Sequence, residues 1–376
     1  MTSATNSRPF DGKTILLTGG TGSFGKQFVR TVLAYHKPKA LRIYSRDELK
    51  QFEMQQVFVN PVLRYFIGDI RDRDRLQTAM SGVDIVVHAA AMKQVPACEY
   101  NPFEAVKTNV LGAQNVVETA LSAGVRQVMC ISTDKAVNPV NLYGATKLCA
   151  EKIFVHGNSY AGPRNTRFSV VRYGNVVGSR GSVVPLFLNQ APTGEITVTD
   201  TRMTRFWITL PAAVEFVIRC VDTMMGGEIF VPKLASMKIT DLATLLAPDC
   251  CIKAIGIRPG EKLHEILITE EDGRNCLELN GMYVILPARP DVSGWWKKEN
   301  YTEGVKMPDG FIYSSDRNPC WLTGTELMEM IKSNHDLESY TAKLAPPLRT
   351  SMDKRRRPAG SIKRPPVRLD YAGTEN

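Results

Sequence analysis

Short hydrophobic runs rich in β-branched residues alternate with segments of helical periodicity over residues 13–171. The runs that predict strands cover residues 14–17, 41–44, 64–67, 84–88, 128–132 and 168–172. The segments that predict helices cover residues 25–35, 71–80, 102–123 and 143–154. Parallel strands need crossover connections, and helices must then cover both faces of the sheet. The pattern therefore predicts an α/β fold built on a doubly wound parallel sheet.

The alternation loosens after residue 172, where Gly and Pro interrupt a mixture of short helices and strands. We expect a first domain over residues 11–172 and a smaller mixed α/β lobe over residues 173–338, with segments of the lobe returning to the sheet. Residues 1–10 are predicted to be a disordered lead-in. Residues 345–376 are predicted to be a basic disordered tail.

The composition is that of a globular protein, with 43% hydrophobic and 23% charged residues among 376. No uncharged apolar run approaches the roughly 18 residues that span a bilayer, and residues 1–11 lack the apolar stretch of a secretory signal. We therefore expect a cytoplasmic protein without a membrane span.

The formal net charge of +9 is unevenly distributed, because residues 345–376 hold eight Lys or Arg residues against three acidic residues. Such a tail is most simply a solvated appendage, and nucleic acid is not an expected partner. Exposed Lys and Arg side chains keep binding to an anionic surface open as the alternative.

A glycine-rich turn follows the first predicted strand and leads directly into a predicted helix. The candidates for cofactor binding in this turn are Gly19, Thr21, Gly22, Ser23, Phe24 and Gly25. Glycines let the backbone approach a pyrophosphate, and the helix N-terminus offers unpaired amides. The order strand, glycines, helix predicts a dinucleotide site in a Rossmann-type domain, with a purely structural turn as the alternative. The spacing Gly-x-x-Gly-x-x-Gly matches the variant found in short-chain dehydrogenases/reductases.

The residues after the second predicted strand indicate which dinucleotide binds. An NAD site places Asp or Glu here to hold the ribose hydroxyls, whereas this chain has Ser45-Arg46-Asp47, followed by Lys50. The guanidinium of Arg46 can bind a ribose 2′-phosphate through paired donors, so we favour NADP. Asp47 keeps NAD open, and an exposed surface charge is the alternative for Arg46.

Two more strand ends are expected to contact the cofactor. Asp69 and Ile70, after the third strand, resemble the adenine contact of the same superfamily, although Asp69 could instead be a helix N-cap. Ala89, Ala90 and Ala91 follow the fourth strand. Their small side chains would let the backbone lie beside the dinucleotide, and plain packing is the alternative.

Tyr143 and Lys147 are one helical turn apart and share a face of the helix. The charge of the lysine lowers the pKa of the phenol, so that Tyr143 can exchange a proton with a substrate hydroxyl, and the lysine also holds the nicotinamide ribose. Thr133, Asp134 and Lys135 follow the fifth predicted strand. An acid beside an amine suits proton transfer on a sugar skeleton, because a ketone acidifies the neighbouring C–H and a β-hydroxyl can then leave as water. A surface ion pair is the alternative.

Together these motifs resemble the inverting, 5-epimerising UDP-N-acetylglucosamine 4,6-dehydratases of the extended short-chain dehydrogenase/reductase superfamily, over about residues 10–335. The resemblance rests on residues 18–25, 45–50, 89–96, 99–102, 107–109, 132–147, 172–182 and 202–207. Membrane-anchored, retaining relatives carry an N-terminal transmembrane region and usually methionine at the position of Tyr143. The chain therefore resembles the soluble, inverting branch.

The resemblance implies a reaction in which Tyr143, assisted by Thr133 and Lys147, takes the C4 hydroxyl proton as hydride moves to NADP. Asp134 and Lys135 would then remove the C5 proton and expel the C6 hydroxyl as water, and the division of these transfers between them stays open. Hydride returns to C6, and a proton delivered to the opposite face of C5 inverts that centre. The implied product is a UDP-4-keto-6-deoxy-N-acetylhexosamine for 6-deoxy amino sugar biosynthesis of the pseudaminic acid type.

The resemblance also implies contacts to the nucleotide sugar. The implied substrate-binding residues are Lys93, Asn175, Arg205, Arg258 and Glu261. The two arginines are candidates for the diphosphate and Glu261 for the uridine ribose, with ion pairs as the alternative for the arginines. Asn109 is expected to hold water or backbone near the catalytic lysine. No metal site is expected, because His88 and His264 lack metal-ligand spacing.

Two other functions stay open. A nucleotide-sugar 4-epimerase would share the cofactor site and Tyr143 with Lys147 but would not need Asp134 and Lys135. A non-enzymatic NADP-binding regulator could use the basic tail. Helices over residues 102–123 and 143–154 commonly form a dimer core in this superfamily, so a homo-oligomer is expected by analogy.

Overall fold

The computed structural model describes residues 8–179, 182–287 and 301–332. Its strands are β1 (Thr14–Thr18), β2 (Ala40–Ser45), β3 (Leu63–Ile67), β4 (Ile85–His88), β5 (Gln127–Ile131), β6 (Arg167–Val171), β7 (Asn175–Val176), β8 (Glu195–Val198), β9 (Thr204–Ile208), β10 (Ile229–Pro232), β11 (Ala235–Lys238), β12 (Cys251–Ala254), β13 (Ile266–Ile268), β14 (Cys276–Leu279), β15 (Met282–Ile285), β16 (Val305–Lys306) and β17 (Tyr313–Ser314).

Helices cover both faces of the central sheet, which contains β1 to β6 and β10. They are α1 (Ser23–Tyr35), α2 (Glu48–Val57), α3 (Arg73–Met80), α4 (Val95–Tyr100), α5 (Pro102–Val106), α6 (Gly112–Ala123), α7 (Leu142–Gly157), α8 (Val183–Gln190), α9 (Leu210–Thr223), α10 (Ile239–Leu246), α11 (Glu270–Gly273) and α12 (Gly324–Lys332). Helices α3, α6 and α7 pack together, and α1 packs against α9. A π-helical turn at Lys107–Leu111 joins α5 to α6, and a 3₁₀ turn at Asp134–Ala136 follows β5.

The central sheet has ten strands in the order β16-β14-β15-β10-β6-β5-β4-β1-β2-β3 within the described residues. Strands β1 to β6 and β10 run parallel, whereas β15, β14 and β16 extend the sheet antiparallel. β1 is buried along its whole length, as expected of a parallel strand covered on both faces. The predicted α/β fold is confirmed, and each predicted strand agrees with an observed one to within one residue at each end.

The predicted helices are present, but the connections differ from the prediction. Residues 102–123 are helical throughout, yet the π-helical turn divides them. α2 and α4 were not indicated by periodicity. α2 buries only Gln51 and Met54 and leaves Leu49 and Phe52 exposed, so it lacks a continuous apolar face.

The residues after 172 contribute both to the sheet and to a separate core. β10 returns to pair with β6, placing Ile229 opposite Val170. Strands β11, β9 and β7 form a small sheet whose neighbourhood buries Trp207, Phe187 and Leu242. The division into two lobes stays a prediction.

The N-terminus differs from the predicted lead-in at one position. Phe10 is completely buried and its ring contacts that of Phe28 at a centroid distance of 5.5 Å. Burying an aromatic side chain is favourable, which explains why Phe10 packs into the core although it was predicted to belong to the lead-in. Residues 1–7 and the predicted basic tail at 345–376 lie outside the described residues.

Two surface properties follow from the described residues. None of their helices is both long and apolar enough to cross a membrane. Phe103 and Leu111 are exposed within residues 102–123, one of the two segments predicted to form a dimer core. The oligomeric state stays a prediction.

A buried ion pair connects the sheet to the later part of the chain. The Arg172 guanidinium, which follows β6, donates to both carboxylate oxygens of Glu151 on α7 at 2.8–3.1 Å. It also donates to the Leu267 carbonyl at 3.0 Å and to Asp272 at 2.7 Å. Glu151 accepts a further hydrogen bond from Ser132 at 2.5 Å. One guanidinium thus holds together the ends of β5 and β6, helix α7 and the segment around β13.

Replacing Glu151 with Ala should lower the free energy of unfolding by about 3–5 kcal/mol, because it leaves the buried Arg172 cation without its main partner. Urea denaturation of the purified variant measures this. The matched control, Lys152→Ala, changes the exposed neighbour and should stay within about 0.5 kcal/mol of the wild type. Equal stability of Glu151→Ala and wild type would contradict the role assigned to this pair.

Candidate active site

A cleft of about 710 Å³ lies along the carboxyl ends of the parallel strands. Most of the predicted site residues line it. They are Gly19, Thr21, Gly22, Ser23, Phe24, Ser45, Arg46, Asp47, Lys50, Asp69, Ile70, Ala89, Ala90, Ala91, Lys93, Thr133, Lys135, Tyr143, Lys147, Asn175 and Glu261. Ligands bind in such crevices in open parallel sheets. The fold therefore brings together residues that lie as far apart in the sequence as Gly19 and Glu261.

Two residues predicted to contact the cofactor do not line the cleft. Gly25 packs against Gly20, where an added Cβ would lie 2.1 Å from the Gly20 carbonyl oxygen. Asn109 is buried in the π-helical turn, and its amide hydrogen-bonds both backbone groups of Met92 and the hydroxyl of Thr146. Asn109 therefore holds backbone beside α7, as expected, and does not face the cleft itself.

Two arginines predicted to bind the diphosphate also lie away from the cleft lining. Arg205 is nearly buried, and its guanidinium donates to the carbonyls of Thr204, Leu263 and Lys262. Its donors are therefore occupied by backbone. Arg258 is 57% exposed in its side chain and lies 4.0 Å from Glu261.

The glycine turn has the geometry of a phosphate-binding site. Gly19 has φ +68°, and an added Cβ would lie 2.8 Å from the Ala90 nitrogen, so only glycine fits there. Helix α1 begins at Ser23, and its N-cap Gly22 supplies no side-chain hydrogen bond. The first amides of α1 therefore remain available to an anion at the positive end of the helix dipole.

The residues after β2 comprise a helix cap paired with a lysine and a largely exposed arginine. Asp47 is the N-cap of α2, accepting a hydrogen bond from the Lys50 amide at 2.9 Å and from its ammonium at 2.5 Å. These bonds to Lys50 lower the pKa of the Asp47 carboxyl. The Arg46 side chain is 58% exposed and lies 3.7 Å from Asp69. Arg46 thus presents its donors at the cleft, whereas the Asp47 carboxylate is already engaged.

Asp69 is not the helix N-cap that was its alternative interpretation, because Asp72 caps α3. The Asp69 carboxylate instead accepts from the backbone of Arg71 at 3.0 Å and from its guanidinium at 2.7–2.9 Å. Asp69 and Ile70 both line the cleft.

The tyrosine and lysine of α7 differ from expectation in their electrostatics. Burial raises the pKa of Tyr143 to about 12, while the Lys135 charge and the Thr133 hydroxyl act to lower it. Lys147 instead donates to the Ile131 carbonyl at 2.8 Å. Lys135 is thus a cation that acts on Tyr143 without having been expected to, and the depression of the phenol pKa by Lys147 stays a prediction.

The 3₁₀ turn after β5 places the buried carboxylate of Asp134 next to Lys135, which reaches the cleft. Asp134 is completely buried and does not line the cleft, whereas the Lys135 side chain is 30% exposed and does. The Lys135 ammonium donates to Asp134 at 3.0 Å, and the Thr133 hydroxyl donates to the same carboxylate at 2.9 Å. Burial lowers the pKa of Lys135, but Asp134 and Glu265 outweigh it, so the pKa of Lys135 is raised.

Gly144 and two charged residues complete this arrangement without being indicated by motif spacing. An added Cβ at Gly144 would lie 2.1 Å from the Lys135 carbonyl oxygen, so the glycine lets α7 pack against the turn. Lys262 donates to the Val137 carbonyl at 2.5 Å, and Glu265 lies 3.7 Å from Lys135. Lys262 directly follows Glu261 in the sequence but was given no role of its own, and Glu265 lies three positions farther on.

The described residues contain no group of three or more His, Cys, Asp or Glu side chains that could hold a metal ion. His88 is buried, and its Nδ1 lies 2.8 Å from the Thr18 hydroxyl. Burial, assisted by the Lys147 charge, lowers the pKa of His88 to about 3. His88 is therefore neutral and structural.

Comparison with known proteins places this arrangement in a family. Residues 15–287 match the family described as "Polysaccharide biosynthesis protein". The UDP-N-acetylglucosamine 4,6-dehydratase (inverting) of Campylobacter jejuni is 55% identical over 87% of this chain and 98% of its own length. A UDP-glucose 4-epimerase of Rickettsia akari is 43% identical over 73% of this chain and 83% of its own length.

Among solved structures, that of Pen from Bacillus thuringiensis superposes with a TM-score of 0.78 at 40% identity. It covers 86% of this chain and 98% of the Pen chain. The chain therefore belongs to the polysaccharide biosynthesis protein family and, within it, to the group of the inverting UDP-N-acetylglucosamine 4,6-dehydratases.

Proposed function

We propose that this protein dehydrates UDP-N-acetylglucosamine to a UDP-4-keto-6-deoxy-N-acetylhexosamine and inverts C5. The observation that carries the proposal is the 3₁₀ turn that holds Lys135 against Asp134 in the same cleft as Tyr143 and the glycine turn. Oxidation of the C4 hydroxyl requires only a tyrosine and a dinucleotide. Loss of water needs an additional proton carrier beside the sugar, and Lys135 supplies one. The identity to the Campylobacter enzyme supports the same reaction.

The resident cofactor in this proposal is NADP. Gly19 and the free amides of α1 fit a pyrophosphate, and Arg46 and Lys50 offer cations where a ribose 2′-phosphate would lie. Asp47, the residue that kept NAD open, is occupied as a helix cap. When bound, the dinucleotide supplies hydride acceptance at C4 and hydride return at C6, and so is regenerated in each turnover.

Tyr143 handles the proton of the C4 hydroxyl in the proposed reaction. With a pKa of about 12 the phenol is protonated at neutral pH, so its own proton must pass to solvent before Tyr143 can accept that of the C4 hydroxyl. Lys135 and Thr133 are the neighbours that lower this pKa. The charge of Lys135 therefore assists oxidation at C4 by favouring the deprotonated form of Tyr143.

Lys135 then carries the second step. Once C4 is a ketone, the C5–H bond is acidic, and its electrons form a double bond as the C6–O bond breaks. The Lys135 ammonium first passes a proton to the Asp134 carboxylate, which lies 3.0 Å away. The free amine then takes the C5 proton and gives it to the departing C6 oxygen, and water leaves. A solvent-derived proton added to the opposite face of C5 gives the inverted centre. Glu261, which lines the cleft, is proposed to contact the uridine ribose.

A UDP-sugar 4-epimerase is the second candidate, because the Rickettsia relative carries that name at 43% identity. The two reactions share the cofactor and Tyr143 but differ in the mass of the product.

Purified protein incubated with UDP-N-acetylglucosamine and trace NADP should yield a nucleotide sugar that has lost one water. Mass spectrometry detects this directly. An unchanged mass with inverted C4 would favour the epimerase. The absence of any product, in protein shown to bind NADP, would contradict the proposed reaction.

Variants of the turn separate its two roles. Asp134→Asn should reduce water loss by about 10²–10⁴-fold while C4 oxidation persists, because Tyr143 keeps its neighbouring cation. Lys135→Met should reduce both steps, because it removes the proton carrier and the charge that lowers the Tyr143 pKa. Single-turnover absorbance of the reduced nicotinamide reports C4 oxidation, and mass spectrometry reports water loss. Wild-type water loss in either variant would remove the role proposed for that residue.

Replacing Arg46 with Ala should weaken NADP binding by about 10- to 100-fold and leave NAD binding nearly unchanged, since one or two charge-assisted hydrogen bonds to the 2′-phosphate are lost. Calorimetric titration of both dinucleotides measures the two affinities. Arg73→Ala is the matched control, because the Arg73 side chain is equally exposed but is not part of the cleft lining. Equal losses for NADP and NAD would contradict a 2′-phosphate contact.

A further inference from the structure

A carboxylate from the later part of the chain faces the catalytic turn. Glu265, next to β13, is 2% exposed, and its Oε1 lies 3.7 Å from the Lys135 ammonium. Its main chain is fixed on both sides, because the Glu265 amide donates to the Ser315 hydroxyl at 2.9 Å and its carbonyl accepts from the Ser315 amide at 2.8 Å. The position of this carboxylate is therefore set by strand pairing between β13 and β17 rather than by a flexible loop.

Three cations lie at similar distances from the Glu265 carboxylate, and none of them forms a closer ion pair with it. Arg205 and Lys262 each lie 3.7 Å from its carboxylate, the same separation as Lys135. Arg205 binds three carbonyls, and Lys262 binds the carbonyl of Val137. Those two cations thus have other partners. Two carboxylates of the described residues lie within 4 Å of the Lys135 ammonium, those of Asp134 and Glu265.

The segment that carries Glu265 is attached to the catalytic turn at several points. The Gly260 carbonyl accepts from Asn141, the N-cap of α7, at 2.7 Å. Lys262 bonds the backbone of the turn, at 2.5 Å to Val137 and at 3.4 Å to Asp134. Glu261, between these contacts, lines the cleft. Glu261, which faces the cleft, and Glu265, which faces Lys135, therefore belong to one segment attached to the catalytic turn.

We propose that Glu265 is a positioning residue for the water-loss step, holding the Lys135 side chain between two carboxylates in the orientation that reaches the substrate. The inference rests on the proposed dehydration. Asp134 holds the ammonium from within the same turn, and Glu265 holds it from the segment next to β13. With one anchor removed, the four-carbon side chain of Lys135 regains rotamers that point away from the sugar.

The same arrangement controls the charge of Lys135. Glu265 and Asp134 raise its pKa against the effects of burial and of Arg205. The charged and titratable groups that face Lys135 are Asp134, Glu265, Arg205, Lys262 and Tyr143. Removing the negative charge of Glu265 leaves Arg205 and Lys262 uncompensated nearby, so the pKa of Lys135 falls.

The test uses Glu265→Gln in the full-length protein, with product formation followed by mass spectrometry. We expect kcat for water loss to fall about 10- to 100-fold with KM within about threefold of wild type, because a misplaced proton carrier slows the chemical step and leaves substrate binding intact. The ionisation that Lys135 imposes on the pH profile of kcat should move to lower pH. Glu270→Gln, which removes an exposed carboxylate from the same region, is the matched control and should be unchanged.

A double variant separates positioning from general damage. If Glu265 acts through Lys135, then adding Glu265→Gln to Lys135→Met should lower the residual rate of water loss no further. Additive losses, or an unchanged kcat in Glu265→Gln, would overturn the proposal. Should Glu265→Gln lose NADP binding, Glu265→Asp retains the charge and should give an intermediate kcat, and a wild-type kcat in that variant would likewise overturn it. No water loss by the wild type would contradict the proposed reaction and this inference together.

Discussion

Buried charge is the constraint on which this architecture depends. The Arg172 cation leaves water almost entirely, and a buried charge without partners would cost more free energy than a domain can lose. Glu151, Asp272 and the Leu267 carbonyl satisfy it, and they come from α7, α11 and β13. Satisfying this one side chain therefore fixes the later segments against the parallel sheet, at the edge where the strands end and the cleft lies.

The same principle operates one layer closer to the substrate. Asp134 and Glu265 are buried carboxylates, and Lys135, Lys262 and Arg205 surround them. Lys135 is the member of this group that extends into the cleft. The chemistry of the site is thus an extension of the packing between the two parts of the chain, and the proton carrier is held by contacts from both.

The sequence predicted the parallel sheet and the cleft because both depend on local patterns. Strand runs of β-branched residues and the glycines after β1 report on their own neighbourhood, and they were placed to within a residue. The charge environment of Tyr143 was not predictable in this way. It depends on the tertiary structure, which brings the charge of Lys135 near the phenol and buries the side chain. Burial raises the pKa of Tyr143 to about 12. Glu265 lies 130 positions after Lys135 and meets it only through tertiary packing. Helix α2 was not predicted, because it buries little apolar surface and its sequence therefore lacks an apolar periodicity.

The stereochemistry at C5 tests the central claim most directly, since it reports both water loss and the proton carrier. UDP-N-acetylglucosamine incubated with the protein and trace NADP in heavy water should give a product with deuterium at C5 and the inverted configuration there, as read by proton NMR. Retention of the original hydrogen at C5, or retention of its configuration in a dehydrated product, would contradict proton transfer by the Asp134–Lys135 turn as described.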